Sequence, residues 1–122
     1  MFEIVVQHHF CAAHALRGYD GKCSNIHGHN FVVEVRVTGE RLDATGILVD
    51  FKDIKAEMTR IIDGLDHQLL NELPAFAAIN PSSENIAKYF YDELVATLPP
   101  HARLAEVRVQ ETSSYAAIYR PA

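Results

Sequence analysis

Three histidines, His14, His27 and His29, stand where two strands could bring their imidazoles together. The His27-Gly28-His29 spacing puts two rings on the same side of an extended chain, because side chains alternate between the faces of a strand. Three neutral nitrogen ligands with an open fourth position are typical of catalytic zinc, whereas structural zinc is usually closed by four ligands. The pattern favours a catalytic metal site; the alternative is that three of the seven histidines lie close together by chance.

Three further residues are of the types that transfer protons near such a metal. Cys23 lies four residues before His27, and a nearby cation would favour its thiolate, which could act as a base. Asp66 and His67 are adjacent, and a carboxylate beside an imidazole can fix its tautomer for acid and base work. The alternatives are a small buried thiol and a solvated polar pair.

Glu111 is a carboxylate on the apolar side of a predicted strand. It continues the register of Val107 and Val109, which should face the core with Ala105. Burying an unpaired carboxylate costs on the order of several kcal/mol. A ligand with two adjacent N–H groups would satisfy it through a bidentate hydrogen bond. A salt bridge to Arg36 or Arg108 is the alternative.

The elements that must position these residues follow from the hydrophobic periodicity. Period-two alternation predicts strands at 2–14, about 29–39, around 105–111 and 116–120. Apolar stripes at helical spacing predict one helix that begins after the N-cap Asp50 and stops at Gly64. A second helix should follow residues 80–83 and end at Pro99. Strands, then helices, then strands predict a single α+β domain over residues 1–122 with an antiparallel sheet.

Composition limits the classes of partner. The chain has 122 residues, 11 basic and 16 acidic, with a formal net charge of −5. A mildly acidic chain without a basic cluster argues against nucleic acid or an anionic membrane as partner. No apolar run approaches the roughly 20 residues that span a bilayer, and the first residues lack the pattern of a signal peptide, so we expect a cytoplasmic protein. Two cysteines cannot form a disulfide framework.

Six segments spread over nearly the whole chain resemble the 6-pyruvoyl-tetrahydropterin synthase family. Each is modest alone, but their order and spacing are specific: F-C-A-A-H (10–14), C-S-N-I-H-G-H-N (23–30), V-D-F-K-D-I-K (49–55), L-D-H-Q-L-L-N (65–71), N-P-S-S-E-N (80–85) and E-T (111–112). Within the family the chain is most similar to its bacterial branch, the 6-carboxy-5,6,7,8-tetrahydropterin synthases.

The resemblance implies the tunnelling fold, a four-stranded antiparallel sheet with two helices on one side. Three subunits would close a barrel between them, and two barrels would stack into a homohexamer, a dimer of trimers. By motif it implies a zinc ion on His14, His27 and His29. It implies that Cys23 is the catalytic thiol and that Asp66 with His67 completes the proton-transfer apparatus. Substrate binding would fall to Glu111, which anchors the pterin, and to Ser82 and Ser83, where the family often has threonines.

The implied reaction is a zinc-dependent carbon–carbon cleavage on the way to queuosine. It converts 7,8-dihydroneopterin triphosphate into 6-carboxy-5,6,7,8-tetrahydropterin, acetaldehyde and triphosphate. Within the family the alternative product is 6-pyruvoyl-tetrahydropterin, formed by loss of triphosphate alone. A non-catalytic zinc-binding module is the alternative of a different class, and a cupin is disfavoured because its architecture is nearly all β. Arg17 and Lys22 are candidates for a basic rim that meets the triphosphate.

Overall fold

The computed structural model describes residues 1–122, and its strands form one antiparallel sheet in the order β1-β2-β3-β4. The strands are β1 (Phe2–His14), β2 (His27–Gly39), β3 (Arg103–Thr112) and β4 (Tyr115–Tyr119). Helices α1 (Phe51–Asp63) and α2 (Ser83–Leu94) pack on one face of the sheet, where their apolar sides share a core with alternate strand residues. The predicted α+β fold, with four antiparallel strands and two helices, is confirmed.

Helix α1 begins and ends where the sequence predicts, whereas α2 ends at Leu94, before the expected Pro99, because Val95–Thr97 form a separate 3-10 turn. The Asp50 side chain accepts a hydrogen bond from the Lys52 backbone N–H at the start of α1, and Gly64 caps its end. The apolar stripe of α1 is buried against the sheet, but Phe51, its first residue, is largely exposed beside the outer edge of β1. None of the helices combines the length and the apolar composition that crossing a membrane requires.

The helix-facing side of β1 and β2 carries the core and, at one end, the histidines. Phe10 pairs with Phe31 across the two strands, and their rings stack with centroids 5.0 Å apart. The same alternation that buries these aromatic rings continues to His14 on β1 and to His29 on β2. The imidazoles therefore lie on the same face of the sheet as the hydrophobic core, at one end of it.

Two predicted details of the sheet are wrong. Strand β2 begins at His27, earlier than expected, because residues 27–30 pair with the end of β1. On β3 a register shift opposite Arg36 and Val37 makes Ala105 the extra residue of a bulge, so Leu104 faces the core in its place. Simple alternation cannot anticipate this shift, since a bulge changes the face on which every following residue lies.

Candidate active site

Three imidazoles meet on the helix-facing side of the sheet. His14 lies directly opposite His27 in the β1–β2 ladder, and His29 lies opposite Ala12 on the same face. The ring centroids of His14 are 4.5 Å from His27 and 5.3 Å from His29. Phe31, which is fully buried, packs edge-on against His14 and His29 and forms the floor of the cluster. The positions of the three rings are therefore set by strand pairing and by the core beneath them.

Backbone carbonyls fix the tautomers of two of these rings. His14 Nδ1 lies 2.6 Å from the Pro81 carbonyl oxygen, and His27 Nδ1 lies 2.7 Å from that of Asn25. A carbonyl oxygen only accepts, so each Nδ1 carries the proton and donates it. The Nε2 atom of each neutral ring is then a lone-pair donor. This is the second-shell arrangement that commonly orients histidine ligands of metals.

Glu111 points into the same cluster. Its Oε1 atom is 3.0 Å from both His14 Nε2 and His29 Nε2. Neither nitrogen makes a hydrogen bond of acceptable geometry, although both atoms are buried. Neither Arg36 nor Arg108 is the partner of Glu111, because Arg36 binds other carboxylates and Arg108 donates to Gln110. Glu111 thus contacts the imidazoles rather than an arginine.

These donors form a group that could hold a metal ion. One ligand atom from each of four side chains lies within 4.8 Å of the others, from His14, His27, His29 and Glu111. Four donors about 2.1 Å from a central zinc would lie roughly 3.4 Å apart in a tetrahedron, close to the separations seen here. Burial, together with the neighbouring His14 and His27, lowers the pKa of His29 despite the opposing effect of Glu111, which favours the neutral ring that binds metals. The orphaned nitrogen atoms therefore fit a cation.

The family is decided by a comparison with known protein families. The model of the 6-pyruvoyl tetrahydropterin synthase family matches residues 3–122, nearly the whole chain. The chain belongs to this family. The predicted resemblance is confirmed, and the chain is an enzyme of the pterin synthase family rather than a non-catalytic zinc-binding module or a cupin.

Relatives of this pterin synthase carry both names found in the family. A Bacillus subtilis 6-carboxy-5,6,7,8-tetrahydropterin synthase is 36% identical over 98% of this chain and 86% of its own length. The human 6-pyruvoyl tetrahydrobiopterin synthase is 39% identical over 82% of this chain and 71% of its own length. The structure of a Caenorhabditis elegans 6-pyruvoyl tetrahydropterin synthase superposes with a TM-score of 0.89 at 29% identity, covering 99% of this chain and 96% of that one.

The Asp66–His67 pair of this pterin synthase lies beside the outer edge of β1, outside the group of metal donors. Asp66 Oδ1 accepts the Cys11 backbone N–H at 2.9 Å, and Asp66 Oδ2 lies 3.0 Å from His67 Nδ1. The Cys11 N–H and the His67 side chain both lower the pKa of Asp66, so its carboxylate remains ionised and holds the ring. His67 has a φ of +59° and a 79% exposed side chain. A non-glycine residue in this region is uncommon and marks a functional candidate.

Cys23 is also separate from the metal donors. It is a free, partly buried cysteine in the short 3-10 turn Lys22–Ser24, and it is not one of the four clustered ligand residues. Its carbonyl accepts the Leu16 N–H at 2.8 Å, which ties the turn to the end of β1. Cys23 is thus not a metal donor in this structure, and its catalytic role stays a prediction.

The two serines of the pterin synthase motif do different things. Ser82 caps α2, because its hydroxyl oxygen accepts the Asn85 N–H at 3.1 Å. Ser83 is 9% exposed, and its buried hydroxyl has no hydrogen-bond partner. Ser83 lies two residues after Pro81, whose carbonyl oxygen accepts the hydrogen bond from His14 Nδ1. Of the two, Ser83 is the better candidate for contact with a substrate.

Replacing Ser82 and Ser83 separately should show that one serine stabilises the fold and that the other binds the substrate. Ser82→Ala should lower the free energy of unfolding by about 1 kcal/mol, since the N-cap acceptor is lost. Ser83→Ala should leave stability nearly unchanged and raise KM for the pterin substrate. Urea denaturation and steady-state kinetics on both variants check this. An unchanged KM for Ser83→Ala would remove Ser83 from the substrate site.

Arg17, a candidate for the basic rim, is bound to backbone groups of another segment, and its contact with the triphosphate stays a prediction. Its guanidinium donates to the backbone carbonyls of Asn71, Phe76 and Ile79 at 2.8–3.1 Å, and its backbone forms reciprocal hydrogen bonds with the side chain of Asn80. It therefore fixes the segment that leads into Pro81 and so helps to aim His14. The sequence alone does not show this role of Arg17, because the residues that it binds lie far away in the chain. Lys22 makes no ion pair in the structure.

Sequence reasoning missed the carbonyl partners of the ligands. Pro81 and Asn25 act through backbone oxygens, which every residue type provides, so their identities carried no signal. Two of the other histidines lie elsewhere: His8 contacts Thr59 on α1, and His101 is partly buried, with its Nε2 atom 2.8 Å from the Leu48 carbonyl oxygen.

Proposed function

We propose that this chain is a zinc-dependent 6-carboxy-5,6,7,8-tetrahydropterin synthase that acts on 7,8-dihydroneopterin triphosphate. The observation that carries the proposal is the cluster of buried, unpartnered imidazole nitrogens in a chain that matches the pterin synthase family from residue 3 to 122. The Bacillus subtilis relative, which aligns over 98% of this chain, bears the carboxypterin name, and this favours the carboxypterin product over the pyruvoyl one.

The zinc would be held by the Nε2 atoms of His14, His27 and His29. When bound, it would supply Lewis acidity that makes the hydroxyls of the substrate side chain more acidic and stabilises developing negative charge on oxygen. The donor set fits this metal because imidazole nitrogen is a preferred zinc ligand and three histidines leave room for a substrate oxygen.

The residues of the chain would bind the pterin and move its protons. Cys23, as a thiolate, would accept a proton from the substrate side chain, and His67 would exchange a second proton during the rearrangement and carbon–carbon cleavage. Asp66 would keep the His67 ring in one tautomer through their contact at 3.0 Å. Glu111 would accept the two N–H groups of the pterin ring edge, and Ser83 would add its free hydroxyl.

We propose further that the protein works as a hexamer, a dimer of trimers whose sheets close into barrels. Strands β1 and β4 are the outer strands, and exposed apolar side chains, Phe2, Val5, Tyr115 and Ile118 among them, lie along these strands. Residues 11–13 of the β1 edge already bond to residues 66–69 of the same chain, and the remaining open parts of such edges are commonly covered by another chain. The Asp66–His67 pair is not part of the group of metal donors, and a site between subunits would bring proton-transfer groups to the substrate.

The cellular setting is part of the same proposal. Both cysteines are free, and a catalytic thiol stays reduced in the cytoplasm, where disulfides are rare. A 6-carboxypterin product would place the enzyme on the way to queuosine.

Product analysis tests the proposal most directly. The zinc-loaded protein should release acetaldehyde and triphosphate from 7,8-dihydroneopterin triphosphate and leave a 6-carboxypterin, identified by mass spectrometry. A 6-pyruvoyl product without acetaldehyde would assign the chain to the activity named for the human relative. Absence of any triphosphate release would contradict both assignments.

A further inference from the structure

The contact between Glu111 and His14 sets two hydrogen-bond acceptors against each other, a carboxylate oxygen and a ring nitrogen. His14 Nδ1 donates to the Pro81 carbonyl, so Nε2 of the neutral ring has no proton to offer Glu111 Oε1, which lies 3.0 Å away. The same oxygen lies equally close to His29 Nε2. Two lone pairs at this distance repel unless a cation lies between them. The carboxylate oxygen therefore occupies the position of a fourth metal ligand.

The backbone at Glu111 has no paired residue in either neighbouring strand, which leaves this side chain free to be redirected. Pairing between β2 and β3 ends at Val32 and Gln110, so Glu111 lies beyond the last paired residue on that side. On the other side the β3–β4 register shifts between Gln110 and Thr112, which makes Glu111 the extra residue of a bulge. Bulges release a residue from the ladder and redirect its side chain. Glu111 is also 26% exposed, whereas His14 is 1% exposed.

We propose that Glu111 is an exchangeable ligand, which completes the metal site in the substrate-free protein and moves to the N–H edge of the pterin when substrate binds. The proposal rests on the function proposed above, since it requires both a metal and a pterin. One carboxylate oxygen cannot serve both partners at once. Binding of the pterin would therefore open the fourth metal position only when a substrate is in place to occupy it. Without substrate, Glu111 would keep this position filled.

The first half of the proposal is tested by metal affinity without any substrate. Competition with a chelator should show zinc binding weakened by about tenfold to a hundredfold in Glu111→Ala, with a smaller loss in the isosteric Glu111→Gln. Glu40→Ala is the matched control, since Glu40 is exposed and follows the opposite end of β2 from His29. Circular dichroism confirms folding. Wild-type affinity in both Glu111 variants would show that the carboxylate is not a ligand and overturn the proposal.

The second half is tested on the cobalt-substituted protein with unsubstituted pterin, which has the ring edge but no side-chain hydroxyls. Pterin should shift the visible cobalt bands of the wild type toward those of Glu111→Ala, because water replaces the departing carboxylate. The Glu111→Ala spectrum should not respond. An unchanged wild-type spectrum over the full pterin titration would contradict exchange. The spectra do not depend on turnover, so a failed product assay would count against the proposed function alone.

Discussion

Cys23→Ala should keep the fold and the bound metal but lose turnover by about 10²- to 10⁴-fold, the usual contribution of a proton-transferring side chain. Cys23 lies in the Lys22–Ser24 turn and outside the group of four donors, so its removal takes no ligand from the metal. Metal content by elemental analysis and the rate of triphosphate release, measured on one preparation, check both parts.

The chain offers a matched control for this variant in its other cysteine. Cys11 is equally free, but it lies on β1, where its thiol donates to Asn30 Oδ1. Cys11→Ala should therefore turn over at nearly the wild-type rate. Loss of zinc from Cys23→Ala would make this thiol a ligand and contradict the role proposed for it.

His29→Ala should lose both the metal and the activity. It removes one of three imidazole ligands, so the zinc content should fall from about one per chain to a small fraction after dialysis. A ligand that binds only the folded state at a hundred times its Kd stabilises by about 2.7 kcal/mol. Added zinc should therefore raise the melting temperature of the wild type and leave that of the variant almost unchanged.

The control for this prediction is another histidine of the same strands. His9 is exposed and, by strand alternation, lies on the face of β1 opposite His14. His9→Ala should keep its zinc and its thermal response. If His29→Ala retains stoichiometric metal, the three-histidine site is wrong and the cation, if present, is bound elsewhere.

Much of the fold could be predicted because its signals are local. The alternation from Phe2 to His14 and the Asp50 cap before α1 depend on neighbouring residues alone, and both lie where the sequence places them. The bulge at Ala105 could not be predicted, because it depends on how β3 fits a partner strand far away in sequence. The same holds for the three carbonyls that the Arg17 guanidinium binds, which belong to residues far away in sequence.

By itself the sequence determined the family, the fold class and which histidines share a face, since motif order and strand periodicity are properties of the chain. Only the tertiary structure decided what those residues face. In the tertiary structure the Pro81 carbonyl accepts a hydrogen bond from His14, and Glu111 contacts the imidazoles. Ser82 caps α2, whereas the Ser83 hydroxyl has no hydrogen-bond partner. These outcomes depend on distances between segments far apart in sequence, and such distances are fixed only when the strands pair and the helices pack.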